Sequence, residues 1–166
     1  KQINHLENLT INQTCVGASD GFVEFSVSTD SAYSSMIDSG RKKESEKINC
    51  PVCKLDTYVK AANIQKIDFI KIDVEGAEKL VLSGAQALLT HQKLRPNLLM
   101  LELYDLNLKQ YATSVNDIVQ LMSIYNYAAY YLRNSELIEF EPVLHANKIY
   151  NVFFKSISTT NSITLV

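Results

Sequence analysis

A chain of 166 residues has room for one domain and little more, and its 46% hydrophobic and 20% charged residues set it among folded globular chains rather than disordered ones. Its net charge of -2, with the lysines scattered, excludes the basic face that an obligate nucleic-acid partner requires. No apolar run reaches the roughly 20 residues of a membrane span, and Lys1-Gln2-Ile3-Asn4-His5 lacks the apolar stretch of a signal peptide, so a cytoplasmic protein with no membrane partner is expected.

Ile3, Leu6 and Leu9 fall at helical spacing and read as the end of a helix. Thr14 to Val16 and Phe22 to Val27 are strand-like and are joined by Gly17-Ala18-Ser19-Asp20-Gly21, whose composition favours a tight turn, so a strand pair is expected. From Ser28 to Lys47 the chain is polar and without apolar period, which predicts a long loop. Ile48 to Cys53 comes next as a short strand and Leu55 to Ala62 as a short helix, with Asp56 in its first turn. Cys50-Pro51-Val52-Cys53 has the spacing of a redox or zinc half-site. Zinc needs four ligands, and no second CxxC or His pair is present downstream, so the alternation of Ile48, Cys50 and Val52 reads instead as an ordinary strand face. An odd number of cysteines also argues against a disulfide framework and suits a reducing compartment. Asn8-Leu9-Thr10 and Asn12-Gln13-Thr14 match the glycosylation pattern, which matters only in a secreted chain.

Ile67 to Val74 is β-branched and apolar on both alternating faces, as a strand buried in a parallel sheet would be. Ala77, Leu80, Val81, Gly84, Ala85, Leu88 and Leu89 then form one helical stripe, with Glu78, Lys79 and Gln86 expected outside it. Leu98 to Leu103 is a second buried strand, parallel to the first. A turn spans Tyr104 to Gln110. Val115 to Ile124 reads as a helix with Thr113 or Ser114 as N-cap. Tyr127 to Leu132 and Lys148 to Lys155 complete the strands, joined by a solvent-facing segment containing Glu139, Glu141 and Pro142.

In open α/β sheets ligands collect at the carboxyl ends of the strands, where loops and helix N-termini face a crevice. Asp73-Val74-Glu75-Gly76 closes one strand and Glu102 lies near the end of the next. Period-two geometry sets Lys71 and Asp73 on one face, and a lysine within an apolar strand calls for a partner. Asp73 or Glu75 also suits the cap of the helix from Gly76 onward, with Lys71 as a satisfied partner, and on the residues alone that reading is preferred because capping acids are very common at helix starts. His5, His91 and His145 are too far apart in sequence to suggest a metal or nucleophile site.

The segment Asp68-Phe69-Ile70-Lys71-Ile72-Asp73-Val74-Glu75-Gly76-Ala77-Glu78, with Leu82-Ser83-Gly84-Ala85 after it, resembles the signature of the FkbM-type methyltransferases. The resemblance continues in order through the Ala18 to Gly21 turn, Ser34-Ser35, Leu55-Asp56, the Pro96 to Leu103 strand with its glutamate, and Tyr150 to Phe154. It implies a Rossmann-like, class I α/β fold with a mostly parallel sheet and a reversed last strand. The spatial order it implies is 67–74, 98–103, 148–155, 127–132. The glycine-rich turn and the ribose-binding acid of that family have no counterpart here, so an N-terminally truncated single domain spanning 1–166 is expected.

The resemblance further implies S-adenosylmethionine as cofactor and a hydroxyl of a sugar, polyketide or other small molecule as methyl acceptor. Asp73 and Glu75 are then the catalytic candidates, because a hydroxyl needs a base as the new bond forms. Lys71 and Glu102 are candidates for substrate binding, as are Ser34 and Ser35 in a flexible flap. Ala18, Ser19 and Asp20 are candidates for cofactor binding, and no metal ligand is expected. The rival readings are a non-catalytic Rossmann-like fragment acting through protein interactions, which cofactor titration would separate, and an α/β enzyme whose Asp73 and Glu75 bind a metal.

Overall fold

A computed structural model of the protein describes residues 6–28, 45–142 and 148–157. Two sheets carry the fold. The smaller comprises β1 (Cys15–Val16), β2 (Gly21–Ser28) and β3 (Ser45–Cys53) in the order β1-β3-β2. β1 and β2 therefore do not pair with each other as expected; β3 lies between them, parallel to β1 and antiparallel to β2. The alternation that reads as two neighbouring strands fixes only that both are extended, not which strand they pair with. β3 also begins at Ser45, within the span expected to be loop, while residues 29–44 lie outside the described residues. Residues 6–14 contain no helix, so the helical reading of Ile3 to Leu9 does not hold over its described part.

The larger sheet contains β4 (Phe69–Ile72), β5 (Leu98–Leu103), β6 (Tyr127–Arg133), β7 (Glu136–Glu139) and β8 (Tyr150–Ser156), ordered β4-β5-β8-β6-β7. The four strands expected from the sequence stand in the expected order, with β8 reversed between β5 and β6. The sheet is nevertheless not mostly parallel. Only β4 and β5 pair in parallel, whereas β5 with β8, β8 with β6 and β6 with β7 are antiparallel. One reversed strand between two others makes two antiparallel pairs. The third comes from β7, a hairpin partner of β6 in a segment read as connection. Its residues are all exposed, in keeping with a solvent-facing segment, but Phe140 just beyond is buried and meets Tyr131 and Tyr150 edge to face at 6.4 and 5.7 Å.

Burial in this sheet is one-sided. β5 alternates, with Leu99, Leu101 and Leu103 buried. The register brings Ile72, Val152, Phe154 and Ala129 to the same face. Onto it pack Val81, Leu82 and Leu89 from α2 (Glu78–Ser83) and α3 (Gln86–Thr90), and Ile118 and Met122 from α5 (Val115–Ile124), in one apolar cluster. Each large side chain fully removed from water there contributes about 1.5–3 kcal/mol. The opposite face is only half covered: Phe69 is 46% exposed and Lys71 is exposed. β4 is thus buried on one face, not two, and among the described residues it is an edge strand.

The helical stripe from Ala77 to Leu89 is present but is not one helix. It breaks at Gly84 and Ala85 because the three-stranded sheet packs there: a Cβ on Gly84 would collide with the Gly17 carbonyl oxygen, and the Gly84 carbonyl accepts from Asp56 N at 2.9 Å. Asp56, in α1 (Leu55–Ala61), restarts the helix by accepting from Ala87 N and Leu88 N at 2.9 and 2.8 Å. Glu78, expected outside, is only 1% exposed. The segment read as a turn contains α4 (Asp105–Leu108) and a 3-10 turn over Lys109–Tyr111. α5 starts as expected, with Ser114 Oγ accepting from Asp117 N at 3.2 Å. Among the described residues no helix is long and apolar enough to cross a membrane.

Candidate active site

β4 and β5 run side by side in parallel, so the residues at their carboxyl ends come together. Carboxylate oxygens of Asp73, Glu75 and Glu102 lie within 4.8 Å of one another. Lys71 opens the cluster from the half-covered face and donates to Asp73 Oδ2 at 2.7 Å, the pairing expected from their period-two spacing. That bond, reinforced by the Asp73 and Glu102 charges, raises the Lys71 pKa and keeps the ammonium charged. Glu102 is pushed above the ordinary glutamate value by burial first and then by the Asp73 and Glu75 charges. A carboxylate so shifted is a better proton acceptor near neutrality.

Glu75 owes its place to strained backbone. It has φ 51°, in the left-handed region that non-glycine residues seldom adopt, and Gly76 comes next at φ 105°. Two side chains hold this turn. The buried carboxylate of Glu78 accepts from Gly76 N and Val74 N at 3.2 and 3.3 Å through one oxygen, while its other oxygen has no hydrogen-bond partner. Burial raises the Glu78 pKa against the lowering effect of those N–H groups. Asn107, brought over by α4, donates to Glu75 Oε2 at 2.7 Å. Sequence reasoning assigns neither Glu78 nor Asn107 to the site. A signal for α4 exists in Asp105 after Tyr104, an acid at a helix start, but nothing in the periodicity marks Asn107 as facing Glu75.

The structure therefore brings together Asp73, Glu75, Lys71 and Glu102. Ala18, Ser19 and Asp20 are exposed in the turn between β1 and β2, on the other sheet. Asp20 is engaged in holding α1, accepting from Lys54 N at 2.8 Å and from Thr57 Oγ1 at 2.9 Å. These two bonds pull its pKa below the ordinary aspartate value. Ser34 and Ser35 lie outside the described residues, as do His5 and His145. His91 closes a local turn, its Nδ1 accepting from Lys93 N and Leu94 N at 3.2 and 3.1 Å.

Such an arrangement, with acids gathered where two parallel strands end and helices begin, belongs to an α/β protein and makes these strand ends its candidate site. The particular kind is given by the family comparison: residues 2–129 match the methyltransferase FkbM domain, and the chain belongs to that family. No curated protein and no solved structure matches the chain.

Proposed function

We propose that the chain carries out S-adenosylmethionine-dependent methylation of a hydroxyl oxygen on a sugar, polyketide or other small molecule. The observation that carries this reading is the convergence of Asp73, Glu75 and Glu102 at the ends of β4 and β5 in a member of a methyltransferase family. Three carboxylates against one lysine leave the cluster negative, a donor set suited to a sulfonium cation. When bound, the cofactor supplies an electrophilic methyl group.

The rest falls to this chain's own residues. A hydroxyl is a poor nucleophile at neutral pH, so its proton must be taken as the bond to carbon forms. Asp73 is tied to Lys71 and Glu75 to Asn107, which suits both to orienting the acceptor. Glu102 has the raised affinity for a proton, and to it we assign the base. Ala18 and Ser19 remain the candidates on the cofactor side, with Asp20 shaping their turn through α1.

Transfer of isotopically labelled methyl groups from S-adenosylmethionine to a panel of hydroxylated acceptors tests the reading. Glu102→Gln should lower turnover by about 10²–10⁴-fold, the usual contribution of a general base. Asp73→Asn should raise KM for the acceptor more than it lowers kcat. Full turnover in Glu102→Gln would move the base to Asp73, and no transfer to any acceptor despite cofactor binding would remove the reading.

A second reading rests on the same acids, since oxygens within 4.8 Å also suit a divalent cation. Calorimetric titration with magnesium distinguishes it: saturable binding lost in Glu75→Gln supports a metal site, and heats of dilution alone exclude one.

A further inference from the structure

Cys50 and Cys53 are three residues apart on β3, so their side chains leave opposite faces of the strand. They are not each other's partners. The register of β1 against β3 sets Cys15 beside Val52, and Cys50, two residues earlier, shares that face. Across 35 residues of sequence the Cys15 thiol donates to the Cys50 sulfur at 3.2 Å. Both residues are only partly buried, so a small polar oxidant can reach them.

The geometry points to Cys15 and Cys50 as a reversible dithiol–disulfide site, closed by a peroxide and reopened by a thiol reductant. The two sulfurs stand 3.2 Å apart, and a disulfide bond is only about 2.05 Å long. Closing the bond therefore draws β1 towards β3, and β1, two residues long and at the edge of its sheet among the described residues, is the part that yields. A disulfide made under strain is the more readily reduced, which makes the site reversible rather than a permanent staple. The movement also reaches the larger sheet's helices. Gly17, directly after β1, donates to the Cys53 carbonyl at 3.0 Å and lays its own carbonyl against Gly84 between α2 and α3.

Burial and then the neighbouring Cys50 sulfur push the Cys15 thiol up to about 11, so near neutrality it is the protonated donor. Cys53 is raised too, by burial and then by the Asp20 charge. Cys50 is the sulfur that accepts the Cys15 S–H, a bond that favours its thiolate, and it is the first to react. Its thiolate attacks one oxygen of hydrogen peroxide: the S–O bond forms, the O–O bond breaks, and the departing hydroxide takes up the proton Cys50 released. The Cys15 sulfur then attacks the sulfenic sulfur. The S–S bond forms, the S–O bond breaks, and hydroxide leaves as water with the Cys15 proton. Two thiols are oxidised and one peroxide is reduced to two waters.

Equimolar hydrogen peroxide added to the folded protein, then alkylation and peptide mapping without reductant, tests the site. The expected product has lost about 2 Da, carries a Cys15–Cys50 cross-link as its main linked peptide, and reverts with dithiothreitol. In urea the same treatment should favour Cys50–Cys53, because the shorter loop closes at lower entropic cost. Cys53→Ser should retain the native cross-link, and Cys15→Ser should leave a Cys50 sulfenic acid that dimedone traps. Cys50–Cys53 as the main link in the folded chain, or a Cys50 sulfenic acid persisting in the unsubstituted protein, would overturn the assignment.

Discussion

Glu78 illustrates what one buried carboxylate does for this site. In the unfolded chain it titrates near 4.5, and in the folded chain burial raises it. Between the two values the folded state keeps a proton the unfolded state has lost, so this group's contribution to stability falls as pH rises from about 4.5 through the folded value. Glu78→Gln keeps an oxygen for Val74 N and Gly76 N but never ionises, so urea denaturation across pH should lack that fall. Superimposable pH profiles of the two proteins would show that Glu78 is not the group responsible. Glu78→Ala leaves two N–H groups without their acceptor and should cost about 1–3 kcal/mol. Gly76 carries a different constraint: at φ 105° any side chain is strained, and a Cβ would run into the Asn107 carbonyl oxygen. Gly76→Ala should therefore lose at least about 2 kcal/mol, read as a lower urea midpoint with unchanged slope.

Among elements, the α2–α3 break joins the two sheets. Because the Gly17 carbonyl rests on Gly84, Gly84→Ala should loosen the smaller sheet while leaving the larger one intact. Hydrogen exchange should then speed up over β1 and β3 but not over β5 and β8, and uniform acceleration would mean that the two sheets unfold as one unit. Asp56 acts on the same junction by capping α3 from a different helix. Asp56→Ala should cost about 0.5–2 kcal/mol, the range for a lost helix cap, with thermal denaturation as the readout.

For the molecule as a whole, strand position sets the order of protection. β5, β8 and β6 have hydrogen-bonded neighbours on both sides, but β6 is exposed at its Leu132 end, and β4 has a neighbour on one side only among the described residues. The slowest-exchanging amides should therefore lie in β5 and β8, with alternate amides of β4 exchanging faster by orders of magnitude. Equal protection of β4 and β5 would place a further strand against the β4 edge. The half-covered face beside it carries Lys71 and Glu102, so site and sheet edge share the least protected side of the molecule.

Local patterns in the sequence carry the resemblance to the family, the succession of β4, helical stripe and β5, and the placing of Lys71 and Asp73 on one face. Period-two and helical spacing are local, so they survive without knowledge of neighbours. The apolar stripe likewise marks Val81, Ala85 and Leu89 as core. Features beyond local spacing were decided by the tertiary structure. Glu78 goes inside because the turn ahead of it needs an acceptor for two N–H groups, and Asn107 meets Glu75 because α4 folds back across the strand ends. β3 separates β1 from β2, and the helix breaks at Gly84 against Gly17, because pairing partners and close backbone approach depend on chain segments far apart in sequence.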